Sequence, residues 1–269
     1  MLAWHLVLEL LLLGSCTGFL AGLLGVGGGM LLVPFITLLL TSKGFPSALV
    51  VKIAVATSLA TICFTSISSV RAHQARGAVR WDIVRMLAPG IVVGSLLGAQ
   101  VAKALPAALL AGLFAAFVSF SATQMLRGRK PRPSRQLPGA PGMLGVGSAI
   151  GTVSSLVGAG GAFMSVPFMS SCNVPIHTAV ATSAAIGVPI ALAGTLGYVI
   201  AGWSLQDLPP GTFGFIYLPA LLVVSTTSVL TAPLGARAAH ALDVRQLRRV
   251  FALMLYAIAG YMFWRAVQA

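Results

Sequence analysis

Long apolar runs, separated by short polar segments, organise this chain. They cover residues 4–24, 30–41, 47–70, 83–102, 106–126, 141–157, 162–171, 176–201, 212–235 and 247–266. A helix needs about 20 residues to cross a bilayer, so the chain has room for roughly eight to ten membrane segments. The period-two alternation of half-buried strands is absent. The pattern therefore predicts an all-α polytopic membrane protein.

Two of the runs, 30–41 and 162–171, are too short to cross comfortably as helices. Each follows a cluster of glycines, GVGGG at 25–29 and GAGG at 158–161, and each contains a Pro-Phe pair. Glycine interrupts helices and lets backbones approach closely. We expect each short run to form one arm of a helical hairpin whose tip is the glycine cluster.

The two halves of the chain repeat one another. GLLGVGGGMLLVPF at 22–35 matches SLVGAGGAFMSVPF at 155–168, and AVATS at 54–58 recurs letter for letter at 179–183. Matches in one order indicate internal duplication, which is common in transporters. The predicted organisation is a first transmembrane repeat at 1–126, a basic cytoplasmic linker at 127–140 and a second transmembrane repeat at 141–269.

The basic residues predict how the repeats are related. Three clusters are Arg71, Arg76, Arg80 and Arg85; Arg127, Arg129, Lys130, Arg132 and Arg135; and Arg237, Arg245, Arg248 and Arg249. Short loops rich in Lys and Arg face the cytoplasm. All three clusters reach that face only if 141–171 returns the chain to the side it left. Each repeat is then a glycine-broken hairpin plus three transmembrane helices, the repeats are inverted, and both termini face the periplasm.

Composition and charge narrow the class. Hydrophobic residues make up 58% of the chain and charged residues 8%, whereas soluble domains carry about 25% charged residues. Lipid must therefore be the main solvent, and a soluble enzyme is excluded. The net charge of +13 would suggest nucleic acid in a soluble protein. Here the basic residues lie between apolar runs, so membrane topology explains them and no nucleic-acid partner is expected.

The glycine clusters are the sharpest candidate site. A short helix that starts after a glycine break points free N–H groups and its positive end at the tip, where an anion can bind. The candidate substrate-binding glycines are Gly25, Gly27, Gly28, Gly29, Gly158, Gly160 and Gly161. The alternative is that these glycines serve tight packing alone.

Polar side chains inside the apolar runs are further candidates. Thr57, Ser58, Thr182 and Ser183 place hydroxyls in the duplicated runs, and either they assist substrate binding or they bond the carbonyl of the preceding helical turn. Lys52 lies five residues before Thr57, and His177 lies five residues before Thr182. An intramembrane lysine is a functional candidate, although Lys52 has room to snorkel to the outer surface and His177 to mark the cytoplasmic interface.

Several kinds of chemistry have no support in the sequence. HExxH, GxSxG, Walker A and CxxC motifs are absent, and Cys16, Cys63 and Cys172 lack metal-ligand spacing. The four acids, Glu9, Asp82, Asp207 and Asp243, form no carboxylate pair at the midplane. We therefore expect no enzyme activity, catalytic residue, cofactor or metal site. The expected partners are a small anion and the lipid bilayer, and a homodimer is left open.

The duplicated pattern resembles one known family. It is carried by Gly18, Ala21, Gly22, Gly25, Gly27, Gly28, Gly29, Pro34 and Ala56-Thr57-Ser58, by their counterparts Gly151, Gly158, Gly160, Gly161, Pro167 and Ala181-Thr182-Ser183, and by Pro89, Gly94 and Gly98. These motifs resemble the TauE/SafE family of sulfite-exporter-like membrane proteins. The second half departs from the first at Ala162 and at Ser154-Ser155. The resemblance implies an anion transporter of the bacterial inner membrane, with substrates such as sulfite or sulfoacetate that vary among members.

The expected function is export of a small anion, driven by the membrane potential. A cytoplasm that is electrically negative drives anions outward without a coupling ion, and the basic inner loops would gather anions at the cytoplasmic mouth. Lys52 would add electrostatic attraction. The alternatives are a proton-coupled transporter of another small anion and a non-transporting membrane scaffold.

Overall fold

The computed structural model describes residues 4–24, 29–127, 136–205, 208–239 and 244–268. Within these ranges the chain forms ten α-helices: α1 (Trp4–Leu24), α2 (Gly29–Ser42), α3 (Ser47–Gln74), α4 (Trp81–Ala104), α5 (Ala107–Arg127), α6 (Ala140–Val157), α7 (Ala162–Ser171), α8 (Ile176–Trp203), α9 (Leu218–Ala239) and α10 (Val244–Gln268). Each predicted apolar run corresponds to one helix. Six of the helices are long and apolar enough to cross a membrane, which confirms a helical, multi-pass membrane protein.

The structure departs from the predicted elements in two places. Residues 212–217, predicted as the start of an apolar helix, form a hairpin of two short strands, β1 (Thr212–Phe213) and β2 (Ile216–Tyr217), in which Thr212 pairs with Tyr217. Gly211 and Gly214, at positive φ, shape this tight turn. The first basic cluster is also only partly a loop, because Arg71 lies in α3 and Arg85 in α4. The turn between those helices is confined to residues 75–80.

Pairs of helices from different halves pack through small residues. On α4, Gly90, Gly94 and Gly98 recur every four residues and form a groove against α6. The Thr152 hydroxyl donates to the Gly94 carbonyl across this interface, at 3.1 Å. In a second such pair, α1 packs against α9, and the Ser228 hydroxyl donates to the Gly14 carbonyl at 3.0 Å. Close backbone approach of this kind holds membrane helices together without a hydrophobic driving force.

Substituting Gly94 tests the importance of this groove. A Cβ at position 94 would overlap the backbone carbonyl of Ser148, whereas a Cβ at Gly145 on the same helix pair would meet no atom. We expect Gly94→Ala to lower the free energy of unfolding by about 1–3 kcal/mol through overpacking, and Gly145→Ala to leave it nearly unchanged. Thermal unfolding in detergent measures both. Equal stability of the two variants would show that the close approach of α4 and α6 at Gly94 is not needed for stability.

The helices α3 and α8 form the centre of the bundle. They run antiparallel, because Gly194 faces Leu59 while Gly187 faces Ser66. Around them, α1 packs on α9, α6 packs on α4, and α5 packs on α10. This pairing is unchanged when α1–α5 are exchanged in order with α6–α10. The short helices α2 and α7 lie beside α3 and α8 respectively.

Candidate functional site

The second glycine cluster reverses the chain inside the bundle. Gly158 ends α6 at a φ of 70°, and its amide and that of Ala159 donate to the Ser154 carbonyl. Gly161 precedes α7 at a φ of 75°. Both values lie in the left-handed region that glycine adopts without strain. The amides of Gly160 and Gly161 donate to no described residue, and the first amides of α7 have no acceptor within their helix.

Gly29, the described end of the first glycine cluster, lies against the second cluster. Gly29 begins α2, and a Cβ placed on it would lie 2.6 Å from the carbonyl oxygen of Gly158. The Ser58 hydroxyl lies 3.0 Å from the carbonyl oxygens of both Gly29 and Gly158 and is fully buried. Gly25, Gly27 and Gly28 lie outside the described residues. Gly29, Ser58 and Gly158 therefore form one cluster that links the two halves.

The other duplicated hydroxyls also bond across elements. Elsewhere, hydroxyls such as those of Thr37 and Thr61 donate to the carbonyl four residues earlier. By contrast, the Thr57 hydroxyl accepts the Tyr217 amide, and the Thr182 hydroxyl accepts the Arg80 amide, both at 3.0 Å. The alternative of bonds to the preceding turn therefore describes neither threonine.

The hydroxyls of the two serines, Ser58 and Ser183, also bond to groups on other elements. The Ser183 hydroxyl lies 2.7 Å from the Ser165 hydroxyl on α7, just as the Ser58 hydroxyl reaches across to the carbonyls of Gly29 and Gly158. Thr57, Ser58, Thr182 and Ser183 are all at most 2% exposed. Polar groups buried in an apolar bundle need partners, and each of these four finds its partner on another element.

Lys52 and His177 lie away from the glycine cluster. The Lys52 ammonium donates to the Lys103 carbonyl at 2.7 Å, in the last turn of α4, and the Lys103 ammonium donates to the Ser204 hydroxyl at the end of α8, at 3.0 Å. A cation at a helix C-terminus satisfies free carbonyls there. His177 is exposed in the first turn of α8. Each lies about 9 Å along its helix from the serine of its repeat.

Sequence reasoning missed several partners of the site. Ser165 could have been recognised from the sequence, since it falls inside the duplicated block 155–168. Arg80 and Tyr217 contribute backbone amides, which no side-chain pattern reveals. Ser154 is 2% exposed, and its hydroxyl oxygen lies 3.2 Å from where a Cβ on Gly161 would be. The Arg80 side chain bonds Asp82, whose carboxylate raises the pKa of that guanidinium.

The described residues offer little other chemistry. No group of three or more His, Cys, Asp or Glu side chains that could hold a metal ion occurs among them. Cys172 is buried, and the Cys63 thiol lies 3.6 Å from the Thr195 hydroxyl between α3 and α8. The site therefore offers backbone amides and hydroxyls, which recognise ligands by hydrogen bonding.

Comparison with known proteins places this geometry in context. Residues 10–262 match the family model described as Sulfite exporter TauE/SafE. A probable membrane transporter protein of Haemophilus influenzae is 36% identical over 259 residues, which cover 96% of this chain and 98% of that protein. A probable membrane transporter protein of Methanocaldococcus jannaschii is 26% identical, with 94% and 92% covered. No solved structure matches the chain.

Proposed function

Because the chain belongs to the Sulfite exporter TauE/SafE family and is a membrane transporter of that family, we propose that it exports a small anion across the bacterial inner membrane. The proposed substrate is a sulfur oxyanion or an organosulfonate, such as sulfite or sulfoacetate. The observation that carries the proposal is the contact of Gly29 and Gly158 at Ser58, beside the free amides of Gly160 and Gly161.

These groups suit an oxyanion. Backbone amides at the start of α7 point toward the break, and the helix dipole adds positive potential there. A sulfite or sulfonate group presents several oxygens that accept hydrogen bonds from such amides. The carboxylates of Glu9 and Asp82 are engaged elsewhere, with Lys43 and Arg80 respectively, so neither described acid repels an anion at the break.

Flux in proteoliposomes tests the function. Purified protein is reconstituted, and uptake of sulfite, sulfoacetate, sulfate and thiosulfate is compared. Gly160→Leu places a side chain in the break, where the nearest atom to its Cβ is 3.7 Å away on Ile62. We expect this variant to lose at least nine-tenths of the flux, while Gly145→Leu, in open space on α6, keeps it. Absence of flux for every anion in folded protein would favour the scaffold alternative.

Inverted repeats are part of the proposal, and two observations support them. The helix pairing is unchanged when the halves are exchanged, and Thr57 and Thr182, which occupy equivalent positions, each accept an amide from the opposite half. Transporters built this way place the substrate site between the repeats.

Thiol labelling of intact cells tests the orientation. In a chain lacking Cys16, Cys63 and Cys172, we expect an impermeant reagent to label Ser204→Cys and to spare Arg76→Cys, both of which are exposed positions. Opening the cells should make Arg76→Cys reactive. Labelling of Arg76→Cys in sealed cells would contradict cytoplasmic placement of the basic loops.

A further inference from the structure

Two connecting segments enter the bundle from opposite ends. The turn 75–80 leaves α3, packs Val79 against the core and ends where the Arg80 amide bonds Thr182. The hairpin 212–217 follows α8 and ends where the Tyr217 amide bonds Thr57. We call the end that carries Arg71, Arg76 and Arg85 the basic end, and the end that carries Lys103 and Ser204 the opposite end.

The hairpin is a substantial plug at the opposite end. Phe215 at its tip is 1% exposed and meets Tyr198 edge to face. Tyr217 is also buried and packs on Phe45. The Lys103–Ser204 hydrogen bond ties α4 to α8 at this end. The turn at the basic end is slighter, because Val79 is only partly buried and the Arg80 side chain is exposed.

The glycine break at 158–161 begins level with Thr57, where Gly158 contacts Val55, and extends toward the level of Thr182. Cys63 on α3 faces Thr195 on α8. Gly194 on α8 lies against Leu59 on α3, so Thr57 is two residues, about 3 Å, from that contact, and Thr182 is twelve residues, about 18 Å, from it in the opposite direction. The two threonines are therefore about 21 Å apart along the bundle, within the roughly 30 Å thickness of a hydrocarbon core. Gly160 lies beside Ile62 and Gly187, between the two levels.

We propose that the turn 75–80 and the hairpin 212–217 are the two gates of the transport path, each held closed by one amide-to-threonine hydrogen bond. This inference rests on the proposed function. Each gate belongs to one half of the chain and each latching threonine to the other half, so breaking one bond frees the two halves at one end only. The structure, with both bonds formed, is the occluded state.

The difference between the gates predicts which one opens more readily. The hairpin buries two aromatic side chains and the turn buries part of one valine, so opening the hairpin exposes much more apolar surface. The unliganded protein therefore opens mainly at the basic end. That bias suits an exporter, which must collect its anion from the side that bears the basic loops.

Native Cys63 reports gate opening without any transport measurement. It is half-buried between the latches, and Cys16 and Cys172 are replaced by serine. Membrane vesicles of both orientations are treated with an impermeant thiol reagent. We expect wild-type Cys63 to react faster from the basic end. Thr182→Val should raise that rate about fivefold, the effect of losing one hydrogen bond of ordinary strength. Thr57→Val should raise the rate from the opposite end, and the double variant should restore the wild-type ratio of the two rates.

Matched variants separate latching from general damage. Thr61→Val removes a hydroxyl that donates only to the Thr57 carbonyl on its own helix and should leave both rates unchanged. Thr57→Ser and Thr182→Ser keep the accepting oxygen and should behave like wild type. Hydrogen exchange at Arg80 and Tyr217 should accelerate about fivefold only in the corresponding valine variant.

Two results would overturn the inference. One is a higher rate of Cys63 labelling from both ends in either valine variant, which indicates loosened packing. The other is an unchanged rate of Cys63 labelling in both valine variants. Failure of the proposed function looks different, because the rates then shift as expected while no anion moves in proteoliposomes. If anion flux is observed but the valine variants do not change the rates of Cys63 labelling, the proposed function holds and the gate proposal is wrong.

Discussion

Gly158→Ala is expected to abolish anion flux and to lower the free energy of unfolding by about 2–6 kcal/mol. Two costs combine. Gly158 has a φ of 70°, and a residue with a Cβ held there is strained by about 1–3 kcal/mol. The new Cβ would also lie 2.7 Å from Val33 Cγ2 and 3.3 Å from the Val55 backbone, and overpacking of this kind costs about 1–3 kcal/mol.

Any backbone shift that relieves this strain or this overlap also displaces the proposed site. Moving the Gly158 peptide pulls its carbonyl from the Ser58 hydroxyl and turns the following amides of Gly160 and Gly161. The flux loss should therefore persist at temperatures where the variant is still folded, as shown by unchanged elution in size-exclusion chromatography.

Gly160→Ala is the matched control for stability. Gly160 does not have a positive φ, and a Cβ placed on it would make ordinary contact with Ile62 at 3.7 Å. Its thermal unfolding midpoint in detergent should stay close to that of wild type, whereas Gly158→Ala should unfold far earlier. Equal midpoints for the two variants would mean that the reversal at 158–161 is not held in the geometry described.

An imposed membrane potential is expected to drive net anion flux without a pH gradient. Moving one charge through 100 mV is worth about 2.3 kcal/mol, which corresponds to an accumulation ratio of about fiftyfold for a monovalent anion. Uncoupled movement needs no proton-binding group inside the bundle. Of the described acids, Glu9 pairs with Lys43 and Asp82 with Arg80, and both pairs lie near the ends of helices.

Potassium-loaded proteoliposomes with valinomycin provide the measurement. The internal anion is followed while the potential is stepped, with internal and external pH held equal. Liposomes containing Gly160→Leu correct for leak. If flux ignores the potential and follows an imposed pH gradient, efflux is proton-coupled, through the protonated substrate or through a histidine such as His177.

The helical framework could be predicted because lipid leaves the chain few choices. A run of apolar residues in a bilayer must satisfy its own amides and carbonyls, and a helix does so within the run. Run length therefore predicted the helices closely, including the short α2 and α7 after their glycine clusters. The hairpin 212–217 escaped prediction because its apolar residues resemble the helix that follows, and only its contacts with α8 and α3 select two short strands.

The duplicated Ala-Thr-Ser runs show where local pattern stops being informative. Their repetition marked Thr57, Ser58, Thr182 and Ser183 as important, but not what each hydroxyl contacts. A hydroxyl bonds equally well to its own helix or to a distant backbone group, so its sequence neighbours do not choose the partner. Thr57 meets an amide 160 positions away because antiparallel packing of α3 and α8 brings the hairpin there.

Lys52 illustrates the same division. Its charge within an apolar run required a polar partner, and that much follows from the cost of burying an ammonium group. The Lys52 side chain is long enough to reach a substrate, a surface or a helix end, and these options differ little in local energy. The sequence by itself therefore determined the helices, their duplication and the positions of the glycine breaks, since these depend on local composition. Only the tertiary structure, which brings the end of α4 within reach of the Lys52 ammonium, assigned Lys52 to the Lys103 carbonyl, because a contact between distant elements depends on how the whole bundle closes.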